Sequence, residues 1–239
     1  MMTPSKSEIK LIRSLAKRKN REENGLFVVE GEKLVQEAIE SGWDIVAVFT
    51  TDEIGEDLMS RITLLSSPSP ALAVVRIPKP TSFTSPDLNI LSLALDSVKD
   101  PGNLGTIVRL SEWFGINTIY CSDNCVDVYN PKVVQSTMGA IFRTKVVYTD
   151  LTKLIDELQG KLPVYGTFMN GNNIYNESLP KGALVVMGSE SEGISPDIES
   201  LIDKRLAIPS FSISEKCSES LNVAIATAVI CSEFKRSSV

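Results

Sequence analysis

From residue 91 onward, short apolar and β-branched runs recur, separated by polar or glycine-bearing stretches. The runs are LSLALD (91–96), NTIYCS (117–122), TKVVYT (144–149), LPVYGTF (162–168), ALVVMG (183–188) and RLAIP (205–209). Each is apolar at successive positions, the pattern of strands buried on both faces. Helical patterns lie between them, so the predicted fold is α/β, a parallel sheet with helices on both faces. The N-terminal part is patterned differently. A basic helix is predicted over roughly 5–19, a strand at LFVVE (26–30), a helix over 32–41 ending at Gly42, and strands at DIVAVFT (44–50), ITLL (62–65) and LAVVRI (72–77). This reads as a small α/β unit. Between the two parts, PKPTSFTSPDLN places prolines at 78, 80 and 86, which resists helix and sheet alike. The predicted division is residues 1–78, a linker over 79–88, and a larger domain over 89–239.

Composition narrows the chemistry. The 239 residues include no histidine, so the commonest general base and the commonest zinc ligand are both missing. Cys121, Cys125, Cys217 and Cys231 form no CxxC pair and no disulfide-like framework. The N-terminus, MMTPSKSEIK, has no apolar h-region, and no apolar run approaches a membrane span. Together these features predict a cytoplasmic protein with no metal and no membrane association. Net charge is −6, the reverse of the usual balance in nucleic-acid binders. Residues 6 to 21 nevertheless hold seven basic side chains (Lys6, Lys10, Arg13, Lys17, Arg18, Lys19, Arg21) against one acid, Glu8. Such a segment can bind phosphates or simply form a solvated helix face.

In open parallel sheets ligands gather at the carboxyl ends of the strands, so the loops after 96, 168, 188 and 209 carry the candidate chemistry. The first, SVKDPGNLGTIVR, holds Asn103, Gly105 and Arg109 in an N-x-G-x-x-x-R pattern, without the spacing of a dinucleotide site. Arg109 also stands three residues before Glu112, where a plain surface ion pair is possible. The second, YGTFMNGNN, has the glycines and asparagines of an easy turn. The third, MGSESEGISP, reads G-x-E-x-x-G through Gly188, Glu190 and Gly193, and Ser195 followed by Pro196 resembles a helix start. The fourth, IPSFSISEKCSESLNVAIATAVI, leads into an alanine-rich helix over 221–234 that is apolar on nearly all faces and suits a deep core or a subunit interface. Ser220 is a candidate cap for that helix.

Taken in order, N-x-G-x-x-x-R at 103–109, G-x-E-x-x-G at 188–193 and I-P…S-L-N-V at 208–223 resemble the three motifs of the SpoU/TrmH family of RNA ribose 2′-O-methyltransferases. The resemblance covers about residues 89 to 236, and GLFVVEGEKLVQEA resembles the small RNA-binding domain that precedes the catalytic domain in many members. It implies a SPOUT fold with a C-terminal trefoil knot, S-adenosyl-L-methionine as cofactor, and a homodimer in which each site is completed by the other subunit. It assigns the cofactor to Gly188, Ile208 and Leu221, with Thr167 and Gly193 beside them, and catalysis to Arg109, Asn103, Glu190, Ser220 and Asn222. Lys17, Arg18 and Lys19 are the candidate RNA contacts. Ribosomal RNA is the preferred substrate over tRNA, and an inactive RNA-binding or ribosome-assembly relative is the other alternative. One departure is visible. Ten residues, SFSISEKCSE, separate I-P from S-L-N, where the family pattern is shorter and carries a glycine.

The implied reaction places a ribose 2′-hydroxyl in line with a sulfonium methyl, so positioning carries much of the rate. Arginine is a poor base. Arg109 could therefore pass a proton on through the RNA phosphates or, remaining cationic, stabilise the developing alkoxide. The sequence leaves both roles open.

Overall fold

The computed structural model describes residues 3–79, 85–212 and 220–237. Contacts divide them into two compact units. The described residues before the linker join Asp127–Arg143 in one, and those from 85 to Val126 and from Thr144 onward form the other. The sequence-based division was contiguous, whereas the chain leaves the larger unit after Val126 and re-enters it at Thr144.

The smaller unit is an antiparallel sheet of three strands in the order β1-β3-β2: β1 (Leu26–Glu30), β2 (Ile45–Thr50) and β3 (Ala71–Arg76). Helices α1 (Lys6–Ser14), α2 (Arg18–Asn24), α3 (Glu32–Glu40), α4 (Thr51–Ile54) and α5 (Glu56–Ile62) surround it. Strand alternation sends Leu26, Val28, Leu72 and Val74 into a core with Ile12, Leu15, Met59 and Ile62. On the other face Phe27 meets Tyr129 at 4.9 Å between ring centroids, and Trp43 meets Phe142 at 5.2 Å.

Two sequence expectations fail here. The helix expected over 5–19 is two helices, because Leu15 turns fully into the core and the chain breaks behind it. Arg21, part of the basic run over 6–21, is 2% exposed. Its guanidinium donates to the freed carbonyls of Leu15 (2.7 Å) and Ala16 (3.0 Å) and to Asp127 Oδ2 (2.5 and 2.9 Å). The strand expected at ITLL is absent. Ile62 closes α5 instead, and the buried Glu30 carboxylate accepts from Thr63 Oγ1 (2.6 Å) and Leu64 N (2.7 Å), bending the chain away.

In the larger unit, β4 (Leu91–Leu95), β5 (Thr118–Cys121), β6 (Lys145–Tyr148), β7 (Val164–Asn173), β8 (Ala183–Met187) and β9 (Lys204–Ala207) form one sheet in the order β6-β5-β4-β8-β7-β9. Every pairing is parallel. Ala94, Tyr120, Val164, Leu184 and Val186 point to one face, where Leu151, Leu154, Ile155 and Leu158 of α8 (Leu151–Leu158) and Ile198 of α9 (Pro196–Glu199) cover them. α6 (Pro101–Trp113) and α10 (Val223–Arg236) pack on each other, and the Tyr165 ring meets Phe234 of α10 edge-on at 5.2 Å. α7 (Pro131–Thr137) belongs to the smaller unit.

The loop expected at YGTFMNGNN lies inside β7. Both Thr167 and Asn172 register against Leu206 of β9, so the residues between them form a large bulge. A Cβ on Gly171 would lie 2.5 Å from the Leu206 carbonyl carbon, so this glycine serves close backbone approach within the sheet. The last helix begins at Val223 and is not buried all round, since Ile225 is 54% exposed. The chain that would thread the C-terminal knot runs through 213–219, outside the described residues.

Candidate active site

β4 and β8 are neighbours although their onward connections run to opposite sides of the sheet. This is a topological switch point, where the loops after both strands lie side by side at the carboxyl edge. The first and third motif loops start there. After β4, Asp100 caps α6 by accepting from Asn103 N at 2.8 Å, with Pro101 at the first helical position. This fixes Asn103 in the opening turn. After β8, Ser189 and Gly193 exchange two backbone hydrogen bonds of 3.0 Å and throw Glu190 out on a tight turn. Gly193 has φ +70, and a Cβ on Gly188 would lie 2.2 Å from the Gly193 carbonyl carbon, so the turn needs both glycines.

The third element is α10. Its N-cap is Asn222 and not Ser220, because the helix opens two residues later than a serine cap would require. Asn222 Oδ1 accepts from Ala224 N (3.0 Å) and Ile225 N (3.3 Å). Its amide Nδ2 donates to Asn103 Oδ1 (2.8 Å) and Glu190 Oε1 (2.7 Å). Glu190 Oε1 also accepts from Asn103 Nδ2 (3.2 Å) and Val223 N (3.2 Å). Asn103, Glu190 and Asn222, separated by up to 119 positions, thus form one closed hydrogen-bonded cluster. The carboxylate lies at the N-terminus of α10, where free N–H groups and the helix dipole favour negative charge.

Other expected site residues stand around this cluster. Ser220 and Leu221 are exposed just before Asn222. Thr167 Oγ1 donates to Val186 O (3.2 Å) and lies 3.6 Å from Met187 Sδ, beside Gly188. Ile208 is half-buried at the end of β9. Thr167 stands just before the bulge of β7, level with the end of β8, and Gly188 and Ile208 directly follow the ends of β8 and β9. Backbone left open by glycine and the apolar side chains of Ile208 and Leu221 are a lining that suits an adenosyl group with an amino-acid tail. The residues fit S-adenosyl-L-methionine.

Arg109 is exposed, and among the described residues it makes no hydrogen bond or ion pair, with Glu112 or any other residue. It lies six positions beyond Asn103 on α6, about 9 Å along the axis and about 120° away around it. The structure does not bring it to the cluster of its own chain. Arg18 pairs with Glu22 (2.7 Å) and Lys19 with Glu23 (3.7 Å), while Lys17 is the N-cap position of α2.

Asp96 was not expected from the sequence. It is 3% exposed at the end of β4, and it ties Ser195 N to the first motif loop. Close by, Cys125 accepts from Val98 N and donates to Leu95 O. A hydrogen bond from Cys121 pulls the Cys125 thiol down to about 7 against burial, while the Cys121 thiol is pushed up. Among the described residues, no cluster of histidine, cysteine or acidic side chains could hold a metal ion, and no helix is long and apolar enough to cross a membrane.

An all-parallel sheet with these three loops meeting at its switch point is a SPOUT methyltransferase domain, preceded in the chain by a small antiparallel domain. The family model described as the SpoU rRNA Methylase family matches residues 90–232, and the MRM3-like substrate binding domain matches residues 6–73. The chain belongs to the SpoU rRNA methylase family. It is 29% identical to the 23S rRNA (guanosine(2553)-2′-O)-methyltransferase RlmP of Bacillus subtilis, over 93% of this chain and 94% of that one. A solved structure from Porphyromonas gingivalis, a protein assigned to the TrmH family of RNA methyltransferases, superposes with a TM-score of 0.84 at 36% identity, covering 98% and 99% of the two chains. An AdoMet-bound rRNA methyltransferase from Sinorhizobium meliloti superposes with a TM-score of 0.85 at 26% identity, over 98% and 97%.

Proposed function

We propose that this protein transfers a methyl group from S-adenosyl-L-methionine to a ribose 2′-hydroxyl of ribosomal RNA. The observation that carries the reading is the closed Asn103–Glu190–Asn222 cluster at the β4/β8 switch point, built from the three motifs of a methyltransferase family. The bound cofactor supplies an electrophilic methyl on a positively charged sulfur. Thr167, Gly188, Gly193, Ile208 and Leu221 hold it beside the ends of β8 and β9 and the bulge of β7. Glu190 and Asn222 fix the start of α10, so the backbone around Ser220 and Leu221 keeps one geometry against cofactor and ribose. Ser220, exposed beside them, orients the substrate.

Arg109 is the cation for the reacting oxygen. On its own chain it makes no hydrogen bond to the cluster, which supports a homodimer in which Arg109 of the partner subunit completes each site. Exposed apolar side chains on the packed helix pair, Trp113 at 84% and Ile225 at 54%, support the same assembly. Lys17, with Arg18 and Lys19, gives the small domain a phosphate-facing edge on an acidic protein. A ribosomal substrate and the buried free thiols of Cys121, Cys125 and Cys231 support a cytoplasmic location.

The reading is tested by incubating the purified protein with methyl-labelled S-adenosyl-L-methionine and, separately, unmodified ribosomal RNA and tRNA. Label in a 2′-O-methylnucleoside from ribosomal RNA is expected. Label only in tRNA would replace the substrate, and cofactor binding without transfer to either RNA would favour an inactive relative.

A further inference from the structure

We infer that Asp96 is a positioning residue that sets the direction of the turn carrying Glu190. Its carboxylate is 3% exposed, and among the described residues no cation pairs with it. A buried carboxylate without a partner cation is costly unless hydrogen bonds hold it. Here each oxygen accepts one: Oδ2 from Ser195 N at 2.8 Å, and Oδ1 from Ser97 Oγ at 3.0 Å. Both donors lie at functional joints. Ser195 is where the 188–195 turn ends, just after the buried Ile194 and before α9. Ser97 opens the first motif loop at φ 59, a left-handed conformation uncommon for serine, and its own N–H is held by Ser122 Oγ at 2.9 Å.

Residues 190–193 are exposed, so apart from its own Ser189–Gly193 bridge and the buried Ile194, the base of the Glu190 turn is held by this tie. Asp96 adds a fixed point on β4, the strand that also leads to Asn103. The two motif loops are then joined twice, at the base by Asp96–Ser195 and at the tip by Glu190–Asn103. A turn free to swing at its base would spend much of its time with Glu190 away from Asn103 and Asn222. The role in turnover rests on the methyl-transfer reading, but the hold on the turn does not.

The tie can be cut from either side. Asp96→Ala removes the acceptor. Ser195→Pro removes the donor, and the native φ of −63° is one that proline adopts without strain. Hydrogen exchange of the full-length protein, read by mass spectrometry over 188–195 and 220–224, is expected to accelerate roughly tenfold or more in each variant, the scale of losing a hydrogen bond to a charged group. The double variant should exchange no faster than the faster single one, because both cut the same bond. Asp96→Asn, which keeps an acceptor for Ser195 N, should recover most of the protection. In methyl-transfer assays well below the melting temperature, kcat should fall in Asp96→Ala and Ser195→Pro, with KM for RNA little changed, and recover in Asp96→Asn. Wild-type protection of 188–195 in folded Asp96→Ala, or additive effects in the double variant, would overturn the inference. Absence of transfer by the wild-type protein would overturn the methyltransferase reading instead, while the exchange comparison still decides the role of Asp96.

Discussion

At the residue scale, hydrogen bonding divides the proposed site between side chains bound to one another and one, Arg109, that is not bound to them. Glu190 Oε1 takes three donors, and both Asn222 Nδ2 protons are used. These residues are committed to geometry, whereas Arg109 keeps its guanidinium free for a ligand. Arg109→Ala is therefore expected to leave the fold and cofactor affinity nearly intact, since an exposed arginine adds little stability. Its turnover should fall by a factor on the order of 10² or more. Arg109→Lys should not restore it, because a point charge lacks the planar fork of donors. Single-turnover transfer assays beside a cofactor titration check both. Glu190→Ala should behave differently. It removes the acceptor shared by Asn103, Asn222 and Val223, so the start of α10 loosens and cofactor affinity drops together with rate, by roughly tenfold or more. Isothermal titration with S-adenosylhomocysteine measures that drop.

At the element scale, the strands of the larger unit were legible because a short run of successive apolar residues suits a strand covered on both faces, and six such runs recur at regular spacing. The misreadings arose where one side chain overrides a local pattern. Basic periodicity over 5–19 reads as one helix, but the buried Leu15 and the Arg21 bonds to Leu15 and Ala16 carbonyls break it. ITLL has strand composition, yet Glu30, distant in sequence, captures the backbone after Ile62. Glycines and asparagines in YGTFMNGNN suggest a turn, and only the register against Leu206 reveals a bulged strand. The motif residues were placed by resemblance, and their mutual hydrogen bonds could not be read from spacing, because they span 119 positions. Asp96 went unseen because a lone aspartate at a strand end carries no pattern. The Arg21–Asp127 pair gives an expected outcome at this scale. Arg21→Met strands a largely buried carboxylate and should cost about 3–5 kcal/mol in chemical denaturation. Adding Asp127→Leu should recover part of that loss, since an apolar pair replaces the ion pair.

At the scale of the whole molecule, the larger unit lends Asp127–Arg143 to the smaller one, so the predicted substrate-binding and catalytic parts are not separable by one cut in the linker. The proposed homodimer sets a further outcome. Light scattering at micromolar concentration should give twice the monomer mass, and Ile225→Glu, a charge on the exposed face of α10, should lower it to the monomer and abolish turnover. A monomeric wild-type protein with full activity would show that Arg109 serves its own chain. The most direct test of the methyl's destination uses the chemistry of RNA itself. Alkali cleaves RNA through the free 2′-hydroxyl, so a ribose methylated at that oxygen protects the bond beside it. Ribosomal RNA labelled by the wild-type protein with methyl-labelled cofactor and then hydrolysed in alkali should release its label in one alkali-resistant dinucleotide. Label recovered entirely in mononucleotides would mean that the methyl went to a base, and would contradict ribose 2′-O-methylation.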